Sequence, residues 1–319
     1  MNILFVSSGN NRTGKTAPFI ESQGESLRKK GHNVYYSLVK GHGLKSYFKH
    51  SFEIKKDVKK YKIDVIHAHY SLCAFSSLLA FSKKPIVASY MGSDAYGSIN
   101  KKGKTRISSY WIVLLSLLMQ PFLSYIISKS ENIDKYVHKK RRAIIPNGVD
   151  FDTFQPRTQK RDDSSSKLFT ILFLGDTSSE RKNFTLLDKA VSSLNDENII
   201  IEAPYPIQAK DIPKYMQNAD MLAMTSWEEG SPNVVKEAMA CNLPIVATNA
   251  GDAWWLLGDL EGHYKTKFDY NDLAKGILEI KKFNNNTKGR DRLIELGLDA
   301  SMVADKLIGI YETVLKRRF

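Results

Sequence analysis

Short runs of Ile, Val, Leu and Phe recur along this chain, each separated from the next by a stretch long enough for a helix. In the first half they are "NILFVS", "NVYYSLV", "DVIHA", "PIVASY", "YIIS" and "AIIP". Such uniformly apolar runs predict strands covered on both faces, the condition of a parallel sheet. Between them lie amphipathic stretches such as "APFIESQGESLRKKG", residues 17–31, which closes on Gly31 as a helix stop. The rhythm restarts with "KLFTILFLG", "NFTLLDKAVSSL", "NIIIEA", "ADMLAMTS", "PNVVKEAMAC" and "PIVATNAG". Between the halves, "PRTQKRDDSSSK" offers a proline, charges and serines with nothing to bury, as a linker does. The 319 residues are too many for one ordinary domain and suit two. The expected fold class is α/β, with two Rossmann-like domains facing a cleft. The boundaries are 1–156 for the first domain, 157–167 for the linker and 168–300 for the second domain. The amphipathic helix 301–319 is expected to pack back on the first domain.

The composition is that of a globular protein, and two isolated cysteines, Cys73 and Cys241, offer neither a metal spacing nor a disulfide framework. A reducing, cytoplasmic setting follows. The first apolar run is strand-length and lacks a basic leader, so it does not read as a signal peptide. The net charge is +13, with basic clusters at 55–62, 101–106 and 139–142. These are solvated faces or an attraction to an anionic partner, such as the inner face of the cytoplasmic membrane. No zinc finger, RNA-binding aromatic signature or helix-turn-helix pattern accompanies them, so nucleic acid is not an expected partner. The stretch "ISSYWIVLLSLLMQPFLSYII", 107–127, is long enough to span a bilayer, but Gln120 and Pro121 split it. The expectation is a buried helix followed by a buried strand. The alternative is a helix that docks on a membrane surface behind the basic "KKGKTR".

Residues 9–16 spell G-x4-G-K-T, the P-loop of NTP hydrolases, between a strand and a helix. A P-loop also needs a carboxylate for magnesium at the end of another apolar strand. The next strands end in "VIHAHY" and "ASYMGSD", which leaves only Asp94, beyond a Gly-Ser turn. The more general property of the loop is that glycine lets backbone N–H groups approach a phosphate at a helix N-terminus.

The stretch "WEEGSPNVVKEAMACNLPIVAT", 227–248, holds more chemistry. Pro232 is suited to opening a helix, Asn242 to the left-handed residue that ends it, and Pro244 prevents continuation. Glu229 then lies on the entering loop and Glu237 in the early turns. Two carboxylates flank a helix N-terminus that suits a diphosphate, placed to accept hydrogen bonds from sugar hydroxyls. Spacing alone is equally met by two surface glutamates.

The segment "EGSPNVVKEAMACNLPIVAT" resembles the E-x7-E region of retaining glycosyltransferases of family 4, which have the GT-B fold. The resemblance runs over nearly the whole chain: "IDVIHAHY", "PIVASYMGSD", "IIPNGVDFDTF" and "FLGDTSSERKN" are similar to successive landmarks of that family, in order. It implies that Glu237 binds the nucleotide ribose hydroxyls and that Glu229 lies near the donor sugar. It further implies that Gly230, Ser231, Pro232, Asn233 and Val234 touch sugar and diphosphate, and that Lys182 meets the diphosphate. Gly14 matches the glycine loop that approaches the donor phosphates, so Lys15 and Thr16 complete the P-loop spelling incidentally.

Three positions depart from the family pattern. Asp176 stands where many members carry Arg, and Arg181 is the candidate to supply that charge. Met91 stands where a histidine sits near the reacting sugar, which makes Asp94, His67 and His69 the first-domain candidates; either histidine is equally a hydrogen-bonded strand end. Asn242 stands where Gly is usual. The implied activity is retaining transfer of a sugar from a nucleotide-sugar donor to a glycan or lipid-linked acceptor, in cell-surface polysaccharide or glycolipid synthesis. No cofactor or metal is expected: the D-x-D letters at 150–152 belong to another glycosyltransferase fold, and Lys182, Arg181 and the helix N-terminus meet the leaving-group charge. Trp254 and Trp255 read as core packing or as a stacking surface. The rival readings are a sugar-nucleotide epimerase, a noncatalytic nucleotide-sugar-binding partner subunit and a P-loop NTPase. The last is checked directly. ATP and GTP hydrolysis with magnesium should be undetectable, and a turnover abolished by Lys15→Ala would establish the P-loop instead.

Overall fold

The computed structural model describes residues 1–10, 14–41, 43–98, 105–157 and 168–316. The linker from residue 158 on, most of the basic cluster 101–106 and part of the loop 9–16 lie outside the described residues. Contacts divide the chain into two units. One holds residues up to Gly148 and, again, those from Ala300 onward; the other holds Val149–Asp299.

The first unit is built on six parallel strands, β1 (Asn2–Ser8), β2 (Asn33–Val39), β3 (Val65–His69), β4 (Ile86–Tyr90), β5 (Tyr125–Ser128) and β6 (Arg142–Ile144), in the order β2-β1-β3-β4-β5-β6. All six apolar runs of the first half form strands. The central β3 and β4 are buried at every residue, which is why they read as continuous apolar runs rather than alternating ones. Helices Pro18–Lys29, Gly43–Lys60 and Ser71–Leu79 make the crossovers. The helix Ala300–Lys316 belongs to this unit, where Lys30 Nζ meets Asp305 at 2.8 Å and the buried Tyr311 hydroxyl meets His67 Nδ1 at 2.6 Å.

The second unit is a five-stranded parallel sheet, β7 (Phe169–Leu172), β8 (Ile199–Glu202), β9 (Met221–Met224), β10 (Ile245–Thr248) and β11 (His263–Thr266), in the order β11-β10-β9-β7-β8. β11 is absent from the sequence reading. It is an edge strand of polar composition, His-Tyr-Lys-Thr, whose place is fixed by pairing with β10 rather than by its own apolar content. Trp254 donates its indole N–H to the Ala247 carbonyl at 2.9 Å, whereas Trp255 is exposed. Asp150, of the D-x-D letters, bonds the Thr153 hydroxyl at 2.8 Å within its own turn.

The apolar stretch 107–127 needs a correction. No helix among the described residues is long and apolar enough to cross a membrane. The stretch divides into the helix Tyr110–Met119, a turn at Gln120–Phe122 and β5. Buried Gln120 pins the division, donating to the Tyr136 carbonyl at 3.1 Å and accepting from the His138 N–H at 2.6 Å. The strand is buried as expected, but the helix is not. It buries Ile112, Ser116 and Met119 and exposes Tyr110, Trp111, Leu114, Leu117 and Leu118, with Ile107 at 85% and Phe122 at 73% exposed beside it. A helix apolar all round gives no periodic signal of which face is covered.

The two passages of the chain between units lie side by side. Val149 bridges Asp299, and the Val149 N–H donates to the Leu298 carbonyl at 3.0 Å. A Cβ added to Gly148 would stand 2.7 Å from the Ala300 Cα. Gly148→Val should therefore force the crossing apart and cost about 1–3 kcal/mol, as overpacking does. A lowered urea midpoint checks this, and an unchanged one would show that the crossing accepts a side chain.

Candidate active site

The strand order of the second sheet reverses between β7 and β9, with β8 on one side and β10 and β11 on the other. Loops leaving the strand ends diverge at such a point and open a crevice. The loop after β7 carries Gly175, Arg181 and Lys182; the loop after β9 carries Ser226 and Glu229. A Cβ at Gly175 would stand 3.2 Å from Lys182 Cγ, so glycine gives that side chain its path. Lys182 Nζ donates to Glu229 Oε1 at 2.7 Å. Arg181 Nη1 reaches the same oxygen at 2.7 Å, and the Ser226 hydroxyl donates to it at 2.9 Å. Burial opposes the charge on Glu229, but the Lys182 and Arg181 cations and these hydrogen bonds outweigh it and hold its carboxyl below the usual range. Backbone contacts fix the cations. The Thr225 hydroxyl donates to the Lys182 and Asn183 carbonyls, each at 3.0 Å, and the Trp227 N–H donates to the Arg181 carbonyl at 2.9 Å. Asp176 instead accepts from the backbone N–H and hydroxyl of Ser178 in its own turn.

Gly230, Ser231 and Pro232 lead from Glu229 into the helix Asn233–Ala240, with Pro232 at its N-cap, Asn233 and Val234 in its first turn and Glu237 in its second. Asn242 ends this segment at φ 54° and accepts the Arg290 N–H on its side-chain oxygen at 2.9 Å. Gly251, at φ 65°, closes the site from below: a Cβ there would stand 2.7 Å from the Gly230 carbonyl oxygen. Burial pushes the Glu237 carboxyl up to about 7, against the pull of Lys236 and Lys182. Lys182 thus acts electrostatically on both glutamates, and the site residues of this unit form one cluster.

The sequence reading missed two neighbours of that cluster. Lys236 is fully buried and donates to the Ser231 hydroxyl at 3.0 Å, and Asp252 is buried close by. Lys236 stands three and four residues before the buried Met239 and Ala240, and that spacing was the available signal.

In the first unit, Gly14, the end of β3 and the turn after β4 lie at the C-terminal edge of neighbouring strands. Gly14 has φ 65°. The Thr16 hydroxyl bonds Ser7 Oγ at 2.8 Å, and the helix begins only at Pro18, past the Lys15-Thr16 pair that opens a P-loop helix. Asp94 is buried and accepts from the backbone N–H of Ser71, Met91 and Gly92, each at 2.9 Å. Burial raises its carboxyl to about 6, against those bonds. His67 spends Nδ1 on Tyr311 and Nε2 on Ser89, and His69 stacks on it with ring centres 4.3 Å apart. Burial holds both imidazoles neutral, well below the usual histidine range, with Lys129 adding to the effect. As placed, Asp94 and His67 fasten a turn and a strand end.

Comparison with known proteins agrees with this architecture. Residues 17–153 match Glycosyltransferase Family 4, and residues 154–282 match Glycosyl transferases group 1. The chain is 21% identical over 298 residues to the UDP-Gal:alpha-D-GlcNAc-diphosphoundecaprenol alpha-1,3-galactosyltransferase of Escherichia coli, covering 80% of this chain and 77% of that one. Sucrose-phosphate synthase of Thermosynechococcus elongatus superposes with a TM-score of 0.78 at 16% identity, over 99% of both chains. The Anabaena protein HepE in complex with UDP superposes with a TM-score of 0.73 at 16% identity, over 98% of this chain and 100% of that one. Two parallel α/β units with the charged cluster at a strand-order reversal, and family matches over both, make this chain a glycosyltransferase of the GT-B fold, in the family 4-like group.

Proposed function

We propose that this enzyme moves a sugar from a nucleotide-sugar donor, with retention at the anomeric carbon, to a lipid-linked or glycan acceptor of cell-surface polysaccharide or glycolipid synthesis. The observation that carries the reading is the convergence of Lys182 and Arg181 on Glu229, beside the start of the helix Asn233–Ala240. Two cations against one carboxylate leave a net positive charge for a diphosphate, and the free N–H groups of a helix start add to it. As the bond to the anomeric carbon breaks, negative charge grows on the leaving diphosphate, and fixed cations stabilise that charge without reorganising. The family roles are assigned accordingly. Lys182 and Arg181 hold the diphosphate, Glu229 keeps them in place and lies near the donor sugar, and Glu237 receives the ribose hydroxyls. Gly230 to Val234 line sugar and diphosphate, and Gly14 is the first unit's phosphate contact. The leaving group needs no metal in this scheme, so transfer is expected to survive a chelator. The E. coli relative's undecaprenyl-diphosphate-linked acceptor and UDP-Gal donor support a lipid-linked acceptor and a UDP-sugar.

Glu237 supplies a test with a definite sign. Its ionised form accepts ribose hydroxyls, and burial holds its carboxyl near 7 in the free protein. Affinity for a UDP-sugar, whose diphosphate does not titrate there, should rise between about pH 6 and 8 and then level off. Glu237→Ala should weaken binding by about tenfold, the value of a hydrogen bond to a charged group, and Glu237→Gln should flatten the pH dependence. An unchanged dissociation constant by calorimetry for Glu237→Ala would remove Glu237 from the site.

The exposed side of the helix Tyr110–Met119, with Ile107 and Phe122, supports peripheral attachment to an anionic membrane face, where a lipid-linked acceptor resides. Nearby Lys139, Lys140 and Arg141 contribute roughly 1 kcal/mol each at an anionic surface. The protein should float with anionic vesicles at low salt. It should stay bound at physiological salt, where charge alone is screened, and Leu118→Glu with Phe122→Glu should release it. Failure to float at low salt would refute the attachment.

A further inference from the structure

Lys236 lies inside the second unit with 0% of its surface exposed. A lysine is rarely buried completely unless it is paired. Its ammonium donates to the Ser231 hydroxyl at 3.0 Å, within the loop that leads from Glu229 into the helix Asn233–Ala240. Asp252 is its counter-charge. Burial pushes that carboxyl up to about 6, against the Lys236 ammonium first and the Ser231 hydroxyl second. Asp252 follows Gly251, the residue that presses against the Glu229 and Gly230 carbonyls. The lysine therefore ties together the two loops that floor the site, and it precedes Glu237 in the chain.

We propose that Lys236 is a positioning residue of the donor site, which fixes the Gly230–Pro232 loop through Ser231 and keeps Glu237 able to carry its charge. The role assigned to Glu237 rests on the donor reading above; the coupling between the two side chains does not. Among the described residues, two cations act on Glu237. Lys236 and Lys182 favour its carboxylate, and Lys182 is shared with Glu229. Asp252 faces Lys236, Cys241 lies one turn on, and Arg290, from the neighbouring helix Gly289–Glu295, bonds the Ala240 carbonyl at 3.1 Å. Burial holds the Lys236 ammonium down to about 8, against Asp252 and Glu237, so its charge is present at neutral pH and fades in mild alkali.

The donor of the hydrogen bond also matters to Ser231. Because its oxygen accepts from Lys236, its own hydrogen is turned away from the lysine. That hydrogen acts on the Asp252 carboxylate, so Ser231 links the lysine to its counter-charge and is held in place before a ligand arrives.

The experiment titrates the ligand-free protein labelled with 13C in glutamate side chains, with Glu237→Gln identifying the Glu237 signal. In Lys236→Met the Glu237 midpoint should move up by about one pH unit, the effect of removing an opposite charge at close range. An unmoved midpoint overturns the proposal. Lys236→Met leaves Asp252 without its partner. Lys236→Met with Asp252→Asn removes both buried charges, keeps the volume, and should show the same upward shift if the single variant folds poorly. The second arm measures UDP-galactose affinity. It should fall several-fold at pH 7 and recover in part by pH 9, where Glu237 is ionised without help and only the contact to Ser231 is missing. A loss as large at pH 9 as at pH 7 also overturns the proposal. Should the unaltered protein bind no nucleotide sugar, the donor reading fails, and the titration still decides the role of Lys236.

Discussion

Parallel strands cannot be joined by tight turns, because the chain must return to the starting edge before the next strand begins. This constraint accounts for most of the molecule. Each crossover is a helix or a long loop, the central strands β3 and β4 are buried throughout, and every strand ends at the same edge of its sheet. Loops at that edge are free of the pairing that fixes the strands, so polar chemistry collects there. In the second unit the reversal of strand order adds a gap between the loops of β7 and β9, and the ionic cluster sits in that gap.

Within that cluster the charges are interdependent. Glu229 is anionic because Lys182 and Arg181 are fixed against one of its oxygens, and those two are fixed because Thr225 and Trp227 hold their backbone. Lys236 and Asp252 compensate one another a few residues away, while Glu237, with no such dedicated partner, is left with its carboxyl near neutrality. One helix start thus presents two carboxylates with opposite tendencies. Lys182 and Arg181 hold the first charged, and burial keeps the second near neutrality. Burying charge is costly, and removing one member of a compensated pair costs more than the pair contributes. Such arrangements persist where the site requires them.

The fold was legible because its strands are covered on both faces: β3 and β4 announce themselves as uninterrupted apolar runs, with no tertiary information needed. β11 was not legible, since an edge strand of His, Tyr, Lys and Thr takes its identity from its neighbour. The side of the helix Tyr110–Met119 left exposed was hidden for the opposite reason, an excess of apolar residues. In the site, Glu229, Lys182 and Arg181 could be named from motif and resemblance, but their convergence on a single oxygen is a three-dimensional fact. His67 and His69 read as candidates from their position at a strand end. The Tyr311 hydroxyl that occupies His67 comes from a helix 244 residues away, a partner no local pattern reveals. Lys236 was passed over because lysine in an amphipathic helix is ordinarily a solvated residue.

The side-by-side passages at Gly148–Val149 and Asp299–Ala300 make the second unit, among the described residues, one length of chain inserted into the first. On the ribosome this reverses the order suggested by numbering. Residues 149–299 are complete as a folding unit before the helix Ala300–Lys316 has been made, so the earlier-synthesised unit is the later one to finish. From Gly148 to Tyr311, at 5–20 residues per second, the first sheet waits on the order of ten seconds with the place of Tyr311 beside His67 unfilled. Over that interval the place of the helix Ala300–Lys316 stays open, and that helix acts as a latch, closed only after the second unit has been made.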